Sequence, residues 1–277
     1  MKVKAQLLAV ILTSLLSFSV FAQNENEILE DSLFNVSETK VHFDMAFSLK
    51  SQNYFRGLLP SKSPTLSTNA GVIWKNWIVA MYGGVGMDGV YQETDFILLY
   101  SLPRINFRLE YWYNFTQGIT DIQEPSGLFD FNPKTTRGLL DFAVNAALDK
   151  KKHWNIMSST LLFGRDTNFK EEEVDGETTL VRTDQRYSQY LELEYSWYAE
   201  NYKFQAFLGG SFSWTNFSGP QFYGDRPGIN NIGASATREF VINNQLKLPV
   251  KASATMNPLA ERAYLIISVN LIQLSKL

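Results

Sequence analysis

The chain has no cysteine. That removes disulfide frameworks, thiolate metal sites and cysteine nucleophiles, and it leaves no cysteine behind a leader to carry a lipid anchor. Histidine is almost absent, with His42 and His153 the only two. No zinc-type ligand cluster and no phosphate-binding glycine loop is present, so no metal and no cofactor is expected. Charged residues make up only 19% of the chain and the formal net charge is −3. Without a basic face, a nucleic-acid partner is excluded. Past the N-terminal leader no stretch approaches the ~18 consecutive apolar residues of a spanning helix.

Residues 1–22 read as an export signal. Lys2 and Lys4 begin it, Leu7 to Val20 forms its apolar stretch, and Val20-Phe21-Ala22 ends on the small residue that a signal peptidase prefers. Removing those two lysines takes the remainder to a charge of −5. Residues 23–40 are acidic and weakly patterned, the composition of a periplasmic tail. Residues 41–277 then form one β domain.

Aromatic residues are abundant, with 13 Tyr, 20 Phe and 6 Trp. Their placement is clearest in Arg104 to Phe115. Ile105, Phe107, Leu109, Tyr111, Tyr113 and Phe115 alternate with Arg104, Asn106, Arg108, Glu110 and Asn114, and Trp112 is the one exception. On a helix this spacing scatters apolar groups around the axis; on a strand it gives one apolar and one charged face. The length suits a tilted membrane-crossing strand of about 9–11 residues.

The same pattern predicts twelve strands: 41–50, 68–74, 77–86, 95–102, 104–115, 136–148, 153–163, 186–198, 203–214, 230–240, 246–256 and 263–273. The even-numbered links are short and the odd-numbered ones mostly long, as in an antiparallel up-and-down transmembrane β-barrel with short periplasmic turns and longer outer loops. Closure leaves no unpaired edge in lipid. Trp74, Trp77 and Trp197 are assigned to an inner aromatic belt, and Tyr111, Tyr113, Phe115, Tyr187 and Trp214 to an outer one.

Directly after the first strand comes Ser51-Gln52-Asn53-Tyr54-Phe55-Arg56-Gly57, with Ser61 and Pro64 behind it. This segment resembles the hallmark of a family of bacterial outer-membrane proteins of unknown function, in which a Tyr-x-x-Arg-Gly-like segment follows the first strand. Here Tyr54 and Phe55 are adjacent, without the usual spacer. The resemblance implies a β-barrel and no established activity. For the motif residues Tyr54, Arg56 and Gly57, two readings stand: a loop arginine folded back onto acidic groups, or a turn glycine beside a solvated arginine.

The inward faces are expected to carry Asp44, Lys50, Arg104, Arg108, Glu110, Asp141, Arg186, Glu192, Glu194, Lys203, Lys247 and Lys251. A simple register sets Glu110 near Asp141 with Arg108 a diagonal step away, an arginine between two carboxylates. Such a ladder lines a narrow channel for small hydrophilic solutes, or it packs into a network that seals the lumen of a structural or partner-binding surface protein. Asn155, Ser158 and Ser159 near His153 faintly echo a barrel phospholipase, but the nucleophile and base spacing of such an enzyme is missing, so no enzyme is expected. The acidic run Glu171-Glu172-Glu173 reads as a solvated loop, with surface cation binding as the alternative. The aromatic loop Trp214 to Tyr223 is either an external platform or a cover over the barrel mouth.

Overall fold

In a computed structural model, residues 40–116, 127–174, 177–242 and 247–273 are described. The leader and the periplasmic tail expected from the sequence lie outside them.

The described residues are all-β. Twelve wall strands close into one antiparallel barrel: β1 (Val41–Lys50), β4 (Thr65–Trp74), β5 (Trp77–Gly86), β6 (Gln92–Ser101), β7 (Ile105–Asn114), β8 (Gly138–Ala147), β9 (Trp154–Gly164), β12 (Ser188–Ala199), β13 (Tyr202–Ser213), β14 (Gly228–Val241), β15 (Lys247–Asn257) and β16 (Arg262–Gln273). Each pairs with its neighbour in sequence order along the wall, and β1 pairs with β16 to complete the ring. Two further hairpins interrupt this order: β2 (Asn53–Phe55) with β3 (Leu58–Ser61), and β10 (Thr167–Val174) with β11 (Glu177–Gln185).

The alternation read from the sequence becomes the two faces of the wall. On β7, Ile105, Phe107 and Leu109 are exposed on the outside while Asn106, Arg108 and Glu110 are buried within. On β5, Val79 and Met81 point out and Ala80 and Tyr82 point in. A soluble barrel has the opposite arrangement, because water would favour the polar side chains on the exterior. Here the exterior is the apolar surface.

The β10–β11 hairpin stands where a long open loop was expected. Lys170 pairs with Glu172 at its edge, and its base is clamped by Asp166, whose carboxylate accepts from the backbone N–H and the hydroxyl of Ser188, both at 2.7 Å. The Arg182 guanidinium donates to the Thr136 carbonyl at 2.7 Å, tying the hairpin to the preceding outer loop.

The inner aromatic group is present at the short-turn end. Trp74 and Trp77 face each other across the β4–β5 turn, and Trp197 stacks between Tyr195 and Phe204. At the opposite end Phe115, Tyr187 and Trp214 are exposed. Tyr113 departs from the expected outer belt. It is fully buried and packs against Phe115, while Tyr111, two residues before it, is covered by Phe131 and donates to the Leu128 carbonyl of the segment before β8.

The β8–β9 turn shows how a short link is held. Asp149 accepts from the backbone N–H of Trp154 at 2.8 Å and of Lys151 at 3.0 Å. Those bonds, the Trp154 one foremost, hold its carboxyl below the usual carboxylate range. A depressed folded-state pKa gives stability that is present above the unfolded value of about 3.9 and is lost as pH falls through the folded one. The Trp154 amide should therefore lose hydrogen-exchange protection as pH drops below about 4. In Asp149→Ala the protection should be low at every pH, and a variant protected like the wild type would contradict this account.

Candidate functional site

The link after β1 does not extend outward. Its residues form the β2–β3 hairpin, which turns into the barrel and crosses the lumen. The turn contains two residues, Arg56 and Gly57, between the paired Phe55 and Leu58. Both have positive φ, 48° and 88°, which is the geometry of a tight type I′ hairpin turn. At the second position only glycine fits. A Cβ on Gly57 would lie 2.3 Å from the Asn230 carbonyl oxygen, and its φ already disfavours a side chain.

From this tip Arg56 projects into the wall and is wholly buried. Its guanidinium donates to Ser159 Oγ at 2.6 Å, to the Tyr223 hydroxyl at 2.8 Å and to Asp141 Oδ2 at 3.1 Å. Ser159 in turn donates to Asp141 Oδ1 at 2.5 Å. The rings of Phe55, Trp112 and Tyr190 lie 4.6, 5.3 and 5.5 Å from the guanidinium carbon. The cation is thus neutralised by one carboxylate and surrounded by aromatic faces, which is how a buried arginine is made tolerable.

The hairpin is fastened on its other side by amides. Asn230 Nδ2 donates to the Arg56 carbonyl at 3.2 Å and Asn257 Nδ2 to the Gly57 carbonyl at 2.9 Å. The Tyr54 hydroxyl donates to Asn231 Oδ1 at 2.9 Å and accepts from Thr255 at 3.1 Å. These contacts reach wall strands as far apart as β8 and β15, so the hairpin bridges the lumen. Phe222 and Tyr223, from the aromatic loop between β13 and β14, close over the same cluster. Of the two readings of that loop, its final residues follow the inward one, while Trp214 and Phe217 stay exposed.

Of the side chains expected inside, Asp44, Lys50, Arg108, Glu110, Asp141, Glu192 and Glu194 are buried on the inner face, and Lys203 and Lys251 are half-buried on its parity. Two sit elsewhere. Arg104 is exposed in the turn before β7, donating to the Ala147 carbonyl. Arg186 lies between β11 and β12 and donates to Asn168. Lys247 keeps the inner parity of Lys251 but is exposed at the first position of β15, paired with Glu239 at 2.8 Å. Alternation assigns a face only within the paired strand, and Arg104 and Arg186 lie beyond its ends.

The register Glu110 opposite Asp141 is present. Arg108 does not join the two carboxylates, however. It pairs with Glu110 alone, and Asp141 receives Arg56 from the hairpin. Glu192 accepts from Tyr190 and Asn231, and Glu194 accepts from Ser196. Neither histidine enters this site. His153 packs edge-on against Tyr195 beside the β8–β9 turn. Among the described residues no group of three or more potential metal ligands is gathered.

Arg56→Met should cost about 3–5 kcal/mol, because it strands a buried Asp141 charge. Adding Asp141→Asn should recover most of that loss. Urea unfolding of the refolded protein in vesicles measures both, and equal losses in the single and double variants would show that the ion pair is not the source.

No protein-family model and no curated protein matches the sequence. Among solved structures the chain is similar to the KdgM porin, at 7% identity over 83% of this chain and 98% of that one, with a TM-score of 0.41. It is similar to the NanC porin at 8% identity, 83% and 100% coverage and a TM-score of 0.39. It is also similar to an outer membrane channel from Pseudomonas putida F1 at 8% identity, 90% and 98% coverage and a TM-score of 0.41. Likeness at this level transfers neither solute nor mechanism.

Proposed function

We propose that the chain is exported by its N-terminal signal and inserts in the outer membrane as a barrel, where it forms a narrow channel for small hydrophilic solutes, constricted by the β2–β3 hairpin. Membrane insertion is supported by the inverted wall. Hydrocarbon solvates the exposed Val79, Leu109 and Leu191 of the exterior, and ring closure pairs every strand edge. The observation that carries the channel reading is the hairpin itself. It is locked by Arg56 and the amides toward β8, β9, β14 and β15, while toward β4–β7 it borders an open cavity of 320 Å³. A constriction anchored on one flank and free on the other defines a path along the free flank. The charges on that path are mixed in sign, so weak rather than strong charge selection follows.

The second reading is a sealed barrel with a structural or partner-binding role at the cell surface. It is favoured by the burial of inner side chains such as Gln205 and Ser235, which a wide water-filled pore would expose.

Planar bilayers separate the two. The wild type should give small discrete conductance steps, and the paired variant Arg56→Met with Asp141→Asn, which unlocks the hairpin without stranding a charge, should give larger ones. A folded wild type and a folded paired variant that both stay silent would establish the sealed barrel instead.

A further inference from the structure

The 320 Å³ cavity beside the hairpin has two chemically different walls. Its size falls at the low end of the ~300–1,000 Å³ typical of small-molecule sites. The hairpin wall is apolar, made by Phe55, Leu58, Leu59 and Pro60, and the Trp112 and Phe222 rings border the same space. The barrel wall carries the polar side chains Glu93, Asp95, Arg108, Glu110 and Asn114 beside Tyr82 and Ile97, with Arg165 also at the cavity.

Among the described residues, the polar atoms at this cavity without a protein partner include one on each of Asn53, Arg108 and Arg165. Asn53 Oδ1 is an acceptor, and Arg108 Nε and Arg165 Nε are donors. Asn53 and Arg108 are only 2% and 3% exposed, so bulk water does not satisfy them freely, and buried polar groups strongly favour a partner. A ligand that completes this set must both donate and accept.

Charge narrows the class. Arg108 and Glu110 neutralise each other, and the Arg165 cation lies in the field of Glu93 and Asp95. An anionic solute would meet three carboxylates, and an ammonium would meet two guanidinium groups. A hydroxyl donates and accepts without adding a charge to either side. A solute with hydroxyls on its edge and C–H groups on its face matches the polar wall and the aromatic wall together.

We infer that this cavity is a binding site for a small uncharged polyhydroxylated solute, one of sugar size. The inference rests on the reading of the barrel as a solute channel and names the solute class its constriction retains. Binding is measured without conductance, so the two readings fail separately: a silent channel that binds the solute refutes only the first, and a conducting one that does not bind refutes only the second.

The test is isothermal titration of the full folded chain in a detergent without a sugar headgroup. Sucrose and glucose are the probes, with acetate and ethylammonium as charged controls. At least one sugar should bind at tens of millimolar or below, and neither ion should. Asn53→Ala, which removes the orphan acceptor, should weaken sugar binding about tenfold. Leu59→Trp, which fills the cavity from the hairpin side and leaves the polar wall intact, should abolish it. If Leu59→Trp fails to fold, the Asn53→Ala comparison decides. Absence of sugar binding, equal binding of either ion, or sugar affinity unchanged in the folded variants would overturn the inference.

Discussion

A charged group buried in a protein needs a counter-charge and hydrogen-bonding partners, because removing it from water is expensive. In this barrel that constraint falls on Arg56. The segment carrying it is short and lies in a link that would be solvated if it pointed outward. Inside, the arginine finds Asp141 from β8, Ser159 from β9 and Tyr223 from an outer loop, with aromatic faces around it. None of these partners is near it in sequence. The hairpin therefore stays inside only if the wall register that sets Asp141 and Ser159 side by side is correct. In turn, the hairpin gives the buried Asp141 carboxylate its counter-charge, so wall and plug stabilise each other.

The wall was legible in the sequence. Strand alternation depends on neighbours two residues apart and needs no knowledge of the rest of the fold. The sequence-derived strands and the structural ones share their centres throughout. They differ by a few residues at their ends, as at β4, which begins at Thr65 rather than Thr68. Where a position lies beyond the last ladder bond, parity has no meaning, which is why the pattern misplaces Arg104 and Arg186. The β10–β11 hairpin was illegible for a different reason. Its Glu171-Glu172-Glu173 run has low strand propensity, and its order comes from cross-strand pairing with residues 177–185 and from the Asp166 clamp at its base.

The candidate site left one trace in the sequence. Trp112 breaks the polar face of β7, placing a large ring where the pattern calls for a charged or amide side chain. In the structure that ring packs edge-on against Phe55 at 5.1 Å and borders Arg56. An aromatic on the wet face of a barrel strand signals that something dry leans against it. What leans there, and from which loop, was hidden, because the contacts joining residue 56 to 141, 159, 223 and 230 are set by how the ring of strands closes.

The hairpin's two flanks then separate holding from passage. Toward β14 and β15 its backbone carbonyls are taken by Asn230 and Asn257, so this flank is fixed by directional bonds to groups that are themselves on paired strands. Toward β4–β7 it offers Leu58, Leu59 and Pro60, which make no such bonds and face a cavity. Apolar contacts are non-directional and adapt to what fills the space, whereas a lost amide bond in a buried setting leaves an unsatisfied group. Any rearrangement that admits a solute therefore costs least on the β4–β7 side. The Arg56–Asp141 pair anchors the constriction to β8 and leaves the β4–β7 side free.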